Sequence, residues 1–491
     1  MWKADYISYK GNTNFNRAYQ GSELVWEKIQ TWTDEPFWVE NINDYYIDFS
    51  VREGCIIRDR MSDVSINGGL ICSFDKVNWK SVFDIKYQGI VPIPPHTKLW
   101  LVNNTDVELE AKPIDLQHIY NLFRILKSGG SWDEEGYAEF NMGGNFHSII
   151  YNWNDKVRNV KTDYAFFGMF FRMKVVDASK LVLPSLIQTK GCYYRMFEYC
   201  QYLKNTPKIL AATTLAERCY QSMFEKCYSL QTAPELPALK VSRYAYRNMF
   251  ENCDSLKIAP KISAKTIDIE GCYAMFYGCN SLTTVMELPF SEISNDGCHQ
   301  MFENCISLQQ VPPMEIQKNA QAAFRRMFAN CSSLKQIKMK FNSSLSGNAA
   351  IDMFTNCTSL TDADITGIEK IFYNGCTRMF KNCTSLKYPP EINIKQVDTY
   401  CCQEMFKGCT SLLRSPILSA LTGKTGCYWN MFEDCVNLKE ITCLLLDTNL
   451  FTQNWVKYIP EGGKFYKHPN AEWVIGDNGI PLGWEVIDYT E

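Results

Sequence analysis

The chain has 491 residues, of which 46% are hydrophobic and 21% are charged, and its formal net charge is -4. This composition is typical of a folded protein, and the length predicts two to four domains. The negative charge argues against electrostatic capture of nucleic acid, and no apolar run is long enough to cross a membrane as a helix. The N-terminus lacks the apolar core of a signal peptide, so synthesis in a cytoplasm is expected if Met1 is the start.

The first 30 residues carry many large apolar side chains for so short a segment. They are Trp2, Tyr6, Tyr9, Tyr19, Leu24, Val25 and Trp26. A segment of this length cannot build its own core, and such side chains usually belong to an interface. We therefore predict that residues 1–30 are an anchoring leader that docks on other subunits or on its own copies. The alternative is that the leader adds a strand to the region that follows it.

Residues 31–115 are predicted to be β-structure. Polar and apolar residues alternate from Tyr45 to Val51, and Asn67-Gly68-Gly69 marks a turn. A transition region and N-terminal cap are predicted over residues 116–190.

Within this cap, Leu116–Leu126 is a plausible helix, and Gly129-Gly130 breaks it. Asp133, Glu134 and Glu135 stand together after the break and could be interpreted as a carboxylate site. Consecutive residues on a turn point in different directions, so a solvated acidic loop is the favoured interpretation.

Ten copies of a repeat occupy residues 191–445, and each contains a Met-Phe pair whose Met we number position 0. Cysteine follows at position +4 and leucine at +7 in every copy, with steps of 27 residues once and 26 residues eight times. The ten methionines are Met196, Met223, Met249, Met275, Met301, Met327, Met353, Met379, Met405 and Met431. Met169-Phe170 resembles a degenerate first copy. A fixed period of this length is typical of a solenoid, in which stacked copies share one core.

Apolar or thiol residues recur near positions −4, 0, +1, +4 and +7, which predicts one stripe of a short helix. Proline at +11 in six copies cannot donate to a strand ladder, so the strand before it must be short. An apolar anchor at +13 shifts one residue earlier, to Met339 and Ile365, in the copies with Lys338 and Asp364 instead of proline. We predict one short helix and one short strand per copy, with the strands in a parallel sheet. The expected core includes Met223, Phe224, Cys227, Leu230, Met301, Phe302, Cys305 and Leu308.

Nineteen of the 21 cysteines lie between Cys192 and Cys443. Stacked thiols could pair or bind a metal, but there is no C-x-x-C and the five histidines are scattered, so a ladder of core thiols is favoured. No phosphate-binding loop, H-E-x-x-H motif or nucleophile elbow is present. We therefore predict no metal site, no cofactor and no enzymatic activity.

Position +8, directly after the leucine, is the candidate recognition column. Its polar members are Lys204, Gln231, Lys257, Thr283, Gln309, Lys335, Thr361, Lys387 and Lys439. These side chains should face solvent on the sheet side, where extended solenoid surfaces bind their ligands. The alternative is a face that only keeps the protein soluble.

The repeat CYQSMFEKCYSLQTAPELPA, from Cys219 to Ala238, resembles the BspA-like leucine-rich repeats of Bacteroidales surface proteins and of virion proteins of crAss-like phages. YKGNTNFNRAYQGSELVWEK is similar to the start of phage structural proteins from that group. WVIGDNGIPLGWEV (Trp473–Val486) is similar to a segment that closes such repeats, so residues 446–491 are interpreted as a C-terminal cap. IVPIPPHTKLWLVN (Ile90–Asn103) is similar to the last strands of a small sandwich that precedes the repeats in relatives. The resemblance implies an α/β-type, leucine-rich-repeat-like solenoid that follows a small β-sandwich domain.

The same resemblance implies a phage virion protein, namely a tail or head fibre or a fibre-associated protein. Its expected partners are other virion proteins, bound through the leader, and a host-surface glycan or protein, bound through the solenoid; a homo-oligomer is also expected. The alternative is a BspA-like adhesin on a bacterial cell surface. A third class, a glycan-processing enzyme with a repeat-built binding module, stays open because residues 31–190 carry few signals.

Overall fold

A computed structural model describes residues 2–9, 12–20, 23–27, 35, 37–42, 45–48, 70–76, 80–81, 90–93, 96–103, 124–127, 139–145, 163–164, 166–183, 189–392, 394–447 and 451–490. The described part of the chain contains 24 strands and no helix. It therefore also contains no helix that could cross a membrane.

Twelve strands precede the repeats and form three sheets. They are β1 (Trp2–Tyr9), β2 (Asn12–Gln20), β3 (Glu23–Glu27), β4 (Phe37–Asn41), β5 (Tyr45–Asp48), β6 (Leu70–Ser73), β7 (Lys80–Ser81), β8 (Ile90–Ile93), β9 (Lys98–Asn103), β10 (Arg124–Lys127), β11 (Phe140–Asn145) and β12 (Val175–Val182). The leader folds into an antiparallel sheet of its own, β1-β2-β3, and these strands pair with no other described strand. The second sheet is β10-β5-β8, and the third has six strands in the order β12-β11-β4-β9-β6-β7.

The strand pairing crosses residue 115, where the sequence analysis separates two regions. β11 and β12, from the predicted cap, share the six-stranded sheet with β4 and β9. β10 pairs antiparallel with β5 over Arg124–Lys127, so the predicted helix over Leu116–Leu126 is wrong at its C-terminal end, and its earlier residues lie outside the described ones. A β-sandwich over residues 31–115 stays a prediction.

The six-stranded sheet leads directly into the repeats. β12 continues the parallel arrangement through a bridge between Asp177 and Asn205 of the first copy. The rings of Phe37 on β4 and Phe170 in the degenerate first copy stack with centroids 6.4 Å apart, and both side chains are fully buried. The N-terminal end of the solenoid core is thus covered by apolar side chains of this sheet.

The predicted helix in each repeat is wrong, and a ribbon of successive β-turns takes its place. In the copy at Met301, the N–H groups of Met301, Glu303 and Cys305 donate to carbonyls three residues earlier, at 3.1–3.3 Å. The N–H groups between them donate to the next copy, as Phe302 does to the Met327 carbonyl at 2.8 Å. An α-helix would need bonds to the fourth residue back and would leave none for a neighbour.

This ribbon repeats every four residues, with two side chains inward and two outward. The backbone takes positive φ at positions −5, −1 and +3, for example at Asp296, Gln300 and Asn304 in the copy at Met301. Positive φ at the third residue of a turn is the geometry of type II turns. The side chains at positions −4, 0 and +4 therefore point inward, once every four residues. This spacing is close to that of an apolar stripe on a helix, so the sequence pattern of the turn ribbon resembles that of a helix.

Short parallel strands follow the turn ribbons and stack from copy to copy. They are β13 (Lys240–Val241), β14 (Thr266–Ile267), β15 (Glu292–Ile293), β16 (Met314–Ile316), β17 (Lys318–Asn319), β18 (Gln336–Leu345), β19 (Asp362–Ile371), β20 (Gln396–Val397), β21 (Arg414–Leu418) and β22 (Glu440–Cys443). The sheets run β13-β14-β15-β17, then β16-β18-β19-β20. β18 and β19, in which Lys338 and Asp364 take the place of the proline, are ten residues long, and their shifted anchors Met339 and Ile365 are paired and buried.

The C-terminal end continues the stack through β21-β22-β23-β24, where β23 is Lys464–Lys467 and β24 is Glu485–Asp488. Trp455 takes the position of Met in a final turn ribbon, because its carbonyl accepts the N–H of Phe432 at 2.8 Å. Its ring stacks on Trp473 with centroids 5.3 Å apart, and its Nε1 donates to the Gly479 carbonyl at 2.8 Å.

The core is a set of ladders that run along the stack. Phe residues at +1 stack on one another, with centroids between 5.1 Å for Phe170–Phe197 and 5.8 Å for Phe406–Phe432. All eight residues expected in the core have no exposed surface: Met223, Phe224, Cys227, Leu230, Met301, Phe302, Cys305 and Leu308. Each copy thus contributes one layer to a continuous apolar interior.

Candidate functional site

The recognition column lies on the outside of the sheet side, where each turn ribbon passes into a strand. Lys204, Gln231, Lys257, Gln309, Lys335, Thr361, Lys387 and Lys439 are exposed, and Thr283 is half-buried. The tenth copy of the column is Leu413, which is also exposed. The structure therefore aligns these side chains on one surface.

Backbone hydrogen bonds fix the spacing of this column. The N–H of Lys335 donates to the Gln309 carbonyl at 3.1 Å, and the N–H of Thr361 donates to the Lys335 carbonyl at 3.0 Å. The Thr361 hydroxyl also donates to the Lys335 carbonyl, at 3.1 Å. Neighbouring members are then about 4.8 Å apart, as in any parallel sheet. A ligand would meet a regular row of side chains.

A depression of about 550 Å³ opens beside the column, at the copies with Lys338 and Asp364 in place of proline. Its lining comprises Val285, Val311, Pro312, Pro313 and Ile337, with Gln310, Gln336, Lys338, Asp362 and Asp364. Gln310, Gln336 and Asp362 are paired neighbours on adjacent strands and are all exposed. Lys338 Nζ lies 2.9 Å from Asp364 Oδ2. An apolar floor with convergent amide, ammonium and carboxylate groups suits the binding of a polar ligand.

The opposite surface, formed by the turn ribbons, uses its polar groups internally. Arg378 makes a bidentate pair with Asp352 at 2.8 and 2.9 Å, and Lys381 and Lys407 reach carboxylates of the next copy at 2.6 Å. The hydrogen bond to Asp352 raises the pKa of Arg378. These pairs join neighbouring copies, so this surface stabilises the stack.

An asparagine ladder belongs to the same surface, and the sequence analysis missed it. Asn330 Nδ2 donates to Asn304 Oδ1 at 2.8 Å, and Asn356 and Asn382 extend the ladder at 2.8 and 2.9 Å. Asparagine occupies the positive-φ position +3 because its short polar side chain tolerates this backbone. Glycine replaces it at Gly278 and Gly408. The column of Asn and Gly at +3 is the sequence signal that would have revealed the turn ribbon.

The cysteines of the repeats lie in the core. Nineteen are free and buried, from Cys192 to Cys443, and the described residues contain no group of three His, Cys, Asp or Glu that could hold a metal. Each thiol at +4 donates to a carbonyl of the preceding copy, as Cys305 Sγ does to Phe276 O at 3.1 Å. Burial raises the pKa of Cys409 to about 12, so this thiol is protonated near neutral pH.

The predicted anchoring residues lie on the sheet of the leader. Trp2, Tyr6 and Tyr9 belong to β1, Tyr19 to β2, and Leu24 and Trp26 to β3. Their side chains lie outside the described part of the structure, as do the acidic loop at Asp133 and the turn at Asn67. Docking through the leader stays a prediction.

Stacked parallel strands, a leucine ladder and a regular exposed column define a solenoid of the leucine-rich-repeat class. The family model for the BspA type leucine rich repeat region (6 copies) matches residues 173–308, 243–387 and 352–454, which together span more than half of the chain. The chain belongs to this family.

Among solved structures, a leucine-rich repeat protein from Bacteroides ovatus is 18% identical and aligns over 53% of this chain and 85% of its own, with a TM-score of 0.17. One from Eubacterium ventriosum is 12% identical over 68% and 96%, with a TM-score of 0.21. The plant peptide hormone receptor RGFR1, in complex with RGF2, is 10% identical over 69% and 57%, with a TM-score of 0.24. No curated protein sequence matches this chain.

Proposed function

We propose that this protein acts by binding, and that the recognition column with its adjacent depression attaches it to a surface macromolecule. The observation that carries the proposal is the contrast between the two surfaces. The turn ribbons pair their charges across copies, whereas the recognition column presents an ordered row of exposed side chains. Extended repeat surfaces of this kind are what solenoids use for recognition.

Catalysis is not part of the proposal. The buried thiols have raised pKa values, and the matched family is a repeat family. The depression offers amides, the carboxylate of Asp362 and one ion pair, and its lining contains no hydroxyl or thiol.

Two biological settings fit this binding role, and family membership supports them equally. In a phage fibre, the leader would dock in the virion and the solenoid would face the host. In a bacterial adhesin, the same solenoid would face outward from the cell. Immunogold labelling of phage particles and of bacterial cells with one antibody distinguishes the two locations.

The test of the binding role measures attachment of the fluorescently labelled full chain to a panel of Bacteroidales strains by flow cytometry. The variant Gln310→Ala/Gln336→Ala/Lys338→Ala removes three exposed side chains that line the depression, and we expect attachment to fall at least tenfold. The matched control, Gln321→Ala/Arg325→Ala/Gln403→Ala, changes the turn-ribbon surface and should leave attachment within twofold. Absence of attachment to every strain, or loss in the control alone, would contradict the proposal.

A further inference from the structure

We propose that the recognition column binds a linear polyanion, such as an acidic polysaccharide, laid along the axis of the stack. This inference rests on the proposed binding function and specifies the ligand class of the same surface. Three observations carry it: the sign of the charges along one stripe, the absence of ion partners for its lysines, and their regular spacing.

The stripe formed by positions +5, +6 and +8 has a positive net charge although the chain is negative overall. Over ten copies these three positions contain five lysines, Lys204, Lys257, Lys335, Lys387 and Lys439, and one acidic residue, Asp254. Asp254 accepts a hydrogen bond from Asn280 at 3.0 Å. The remaining positions are mostly serine, threonine, asparagine and glutamine. A stripe of this kind creates a positive potential that attracts anions.

None of the five lysines forms an ion pair with a described residue, whereas lysines elsewhere on the sheet side do. A second lysine column lies at positions +16 and +17 and contains Lys240, Lys265, Lys318, Lys370 and Lys395. There Lys240 faces Asp268 at 3.9 Å and Lys395 faces Glu369 at 3.4 Å. The chain therefore neutralises the second column at these two lysines and leaves the recognition column uncompensated.

The spacing suits a polymer rather than a compact anion. Successive lysines of the recognition column are two or three copies apart, which is about 10 to 14 Å at the spacing of a parallel sheet. The backbone ladder fixes the spacing of the row, and small hydroxyl side chains between the lysines leave room for sugar rings. A chain with an anionic group on each sugar can place charges at all five ammonium groups.

The experiment compares three full-length proteins by biolayer interferometry on immobilised polygalacturonate, with neutral dextran as the control polymer. The test variant carries Lys→Gln at 204, 257, 335, 387 and 439. The matched control carries Lys→Gln at 240, 265, 318, 370 and 395 in the second lysine column, so it loses the same charge from residues of similar exposure. We expect the wild type to bind polygalacturonate but not dextran, with log affinity falling linearly with log salt. The test variant should bind at least tenfold more weakly, and the control variant within twofold of the wild type.

Equal losses in the two variants, or no binding of polygalacturonate by the wild type, would overturn the inference. The same proteins are tested on bacterial cells to separate this outcome from failure of the proposed function. Attachment of the wild type and the test variant to equal levels would reject the polyanion while the binding role stands. Loss of attachment after protease treatment of the cells, with no loss after periodate, would identify a protein ligand and also reject the polyanion. No attachment of any protein would reject the binding role itself.

Discussion

A cysteine at +4 combines a small buried side chain with one weak hydrogen-bond donor. Cys305 Sγ donates to Phe276 O at 3.1 Å, and the same carbonyl accepts the N–H of Cys279 at 3.1 Å. The second lone pair of a turn carbonyl is thereby satisfied inside the core, where an unsatisfied acceptor would be costly. Alanine would lose this bond, and leucine would overfill the layer. This hydrogen bond explains, better than apolar character alone, why every copy has a cysteine at +4.

The negative charge of Glu198 disfavours folding at neutral pH. Its side chain is buried, and its Oε2 lies 2.8 Å from Arg195 Nε. Burial first, and then the charge of Glu225, raise its pKa from 4.5 to about 7. Because the pKa is higher in the folded state, its contribution to stability is full below pH 4.5 and is lost as the pH rises through 7.

We therefore predict that Glu198→Gln stabilises the protein at pH 8 by on the order of 1–3 kcal/mol and changes little at pH 4.5. Urea denaturation followed by circular dichroism at both pH values measures the difference. The exposed Glu235→Gln serves as the control and should have no pH-dependent effect. If Glu198→Gln changed the free energy of unfolding equally at both pH values, the carboxylate charge would not be responsible.

At the scale of the element, the sequence predicts the parallel strands correctly and the turn ribbon incorrectly. Lys338 and Asp364, which take the place of the proline, lie within the long strands β18 and β19, where their N–H groups are free to join the ladder. The inward stripe has a spacing of four that a helix and a chain of turns share. The Asn and Gly residues at +3 distinguish the turn ribbon from a helix. They take positive φ, as type II turns require, and are disfavoured in a helix interior.

Asn330 tests the turn ribbon directly. It has φ of 63° and lies in the middle of the asparagine ladder, bonded to Asn304 and Asn356 at 2.8 Å each. We predict that Asn330→Ala destabilises the protein more than Asn330→Gly, by about 1 kcal/mol. Both variants lose the ladder bonds, but only alanine strains the left-handed backbone. Thermal unfolding of the two variants measures this difference in stability. An alanine variant at least as stable as the glycine variant would contradict the turn geometry.

At the scale of the molecule, the 26-residue period predicts the stacking, the core columns and the exposed column, because identical copies must bury the same face. The region before the repeats is less predictable, since its strands are two to nine residues long and pair across long sequence distances, as β11 does with β4. Nothing in the local sequence near residue 115 shows that β10 pairs with β5. The ligand class cannot be predicted from the repeat pattern alone. Which lysines lack an ion-pair partner is known only once the structure shows their neighbours.

The last prediction concerns the nineteen buried thiols as one cooperative set. Burial raises their pKa values, to about 12 for Cys409 and Cys443, from an ordinary value of 9.0. Their contribution to stability is therefore full below about pH 9 and is lost as the pH rises further, since only the unfolded chain can ionise them.

We expect Ellman's reagent at pH 8 to label at most two of the 21 cysteines in the native protein, because only Cys55 and Cys72 precede the repeats. Labelling in denaturant without reductant should reach all nineteen repeat cysteines. Above pH 9 the thiols should become reactive together and in parallel with loss of the circular dichroism signal. Thiols that react one by one while the signal is unchanged would show that the column is accessible, and a majority unreactive in denaturant would show that it is paired.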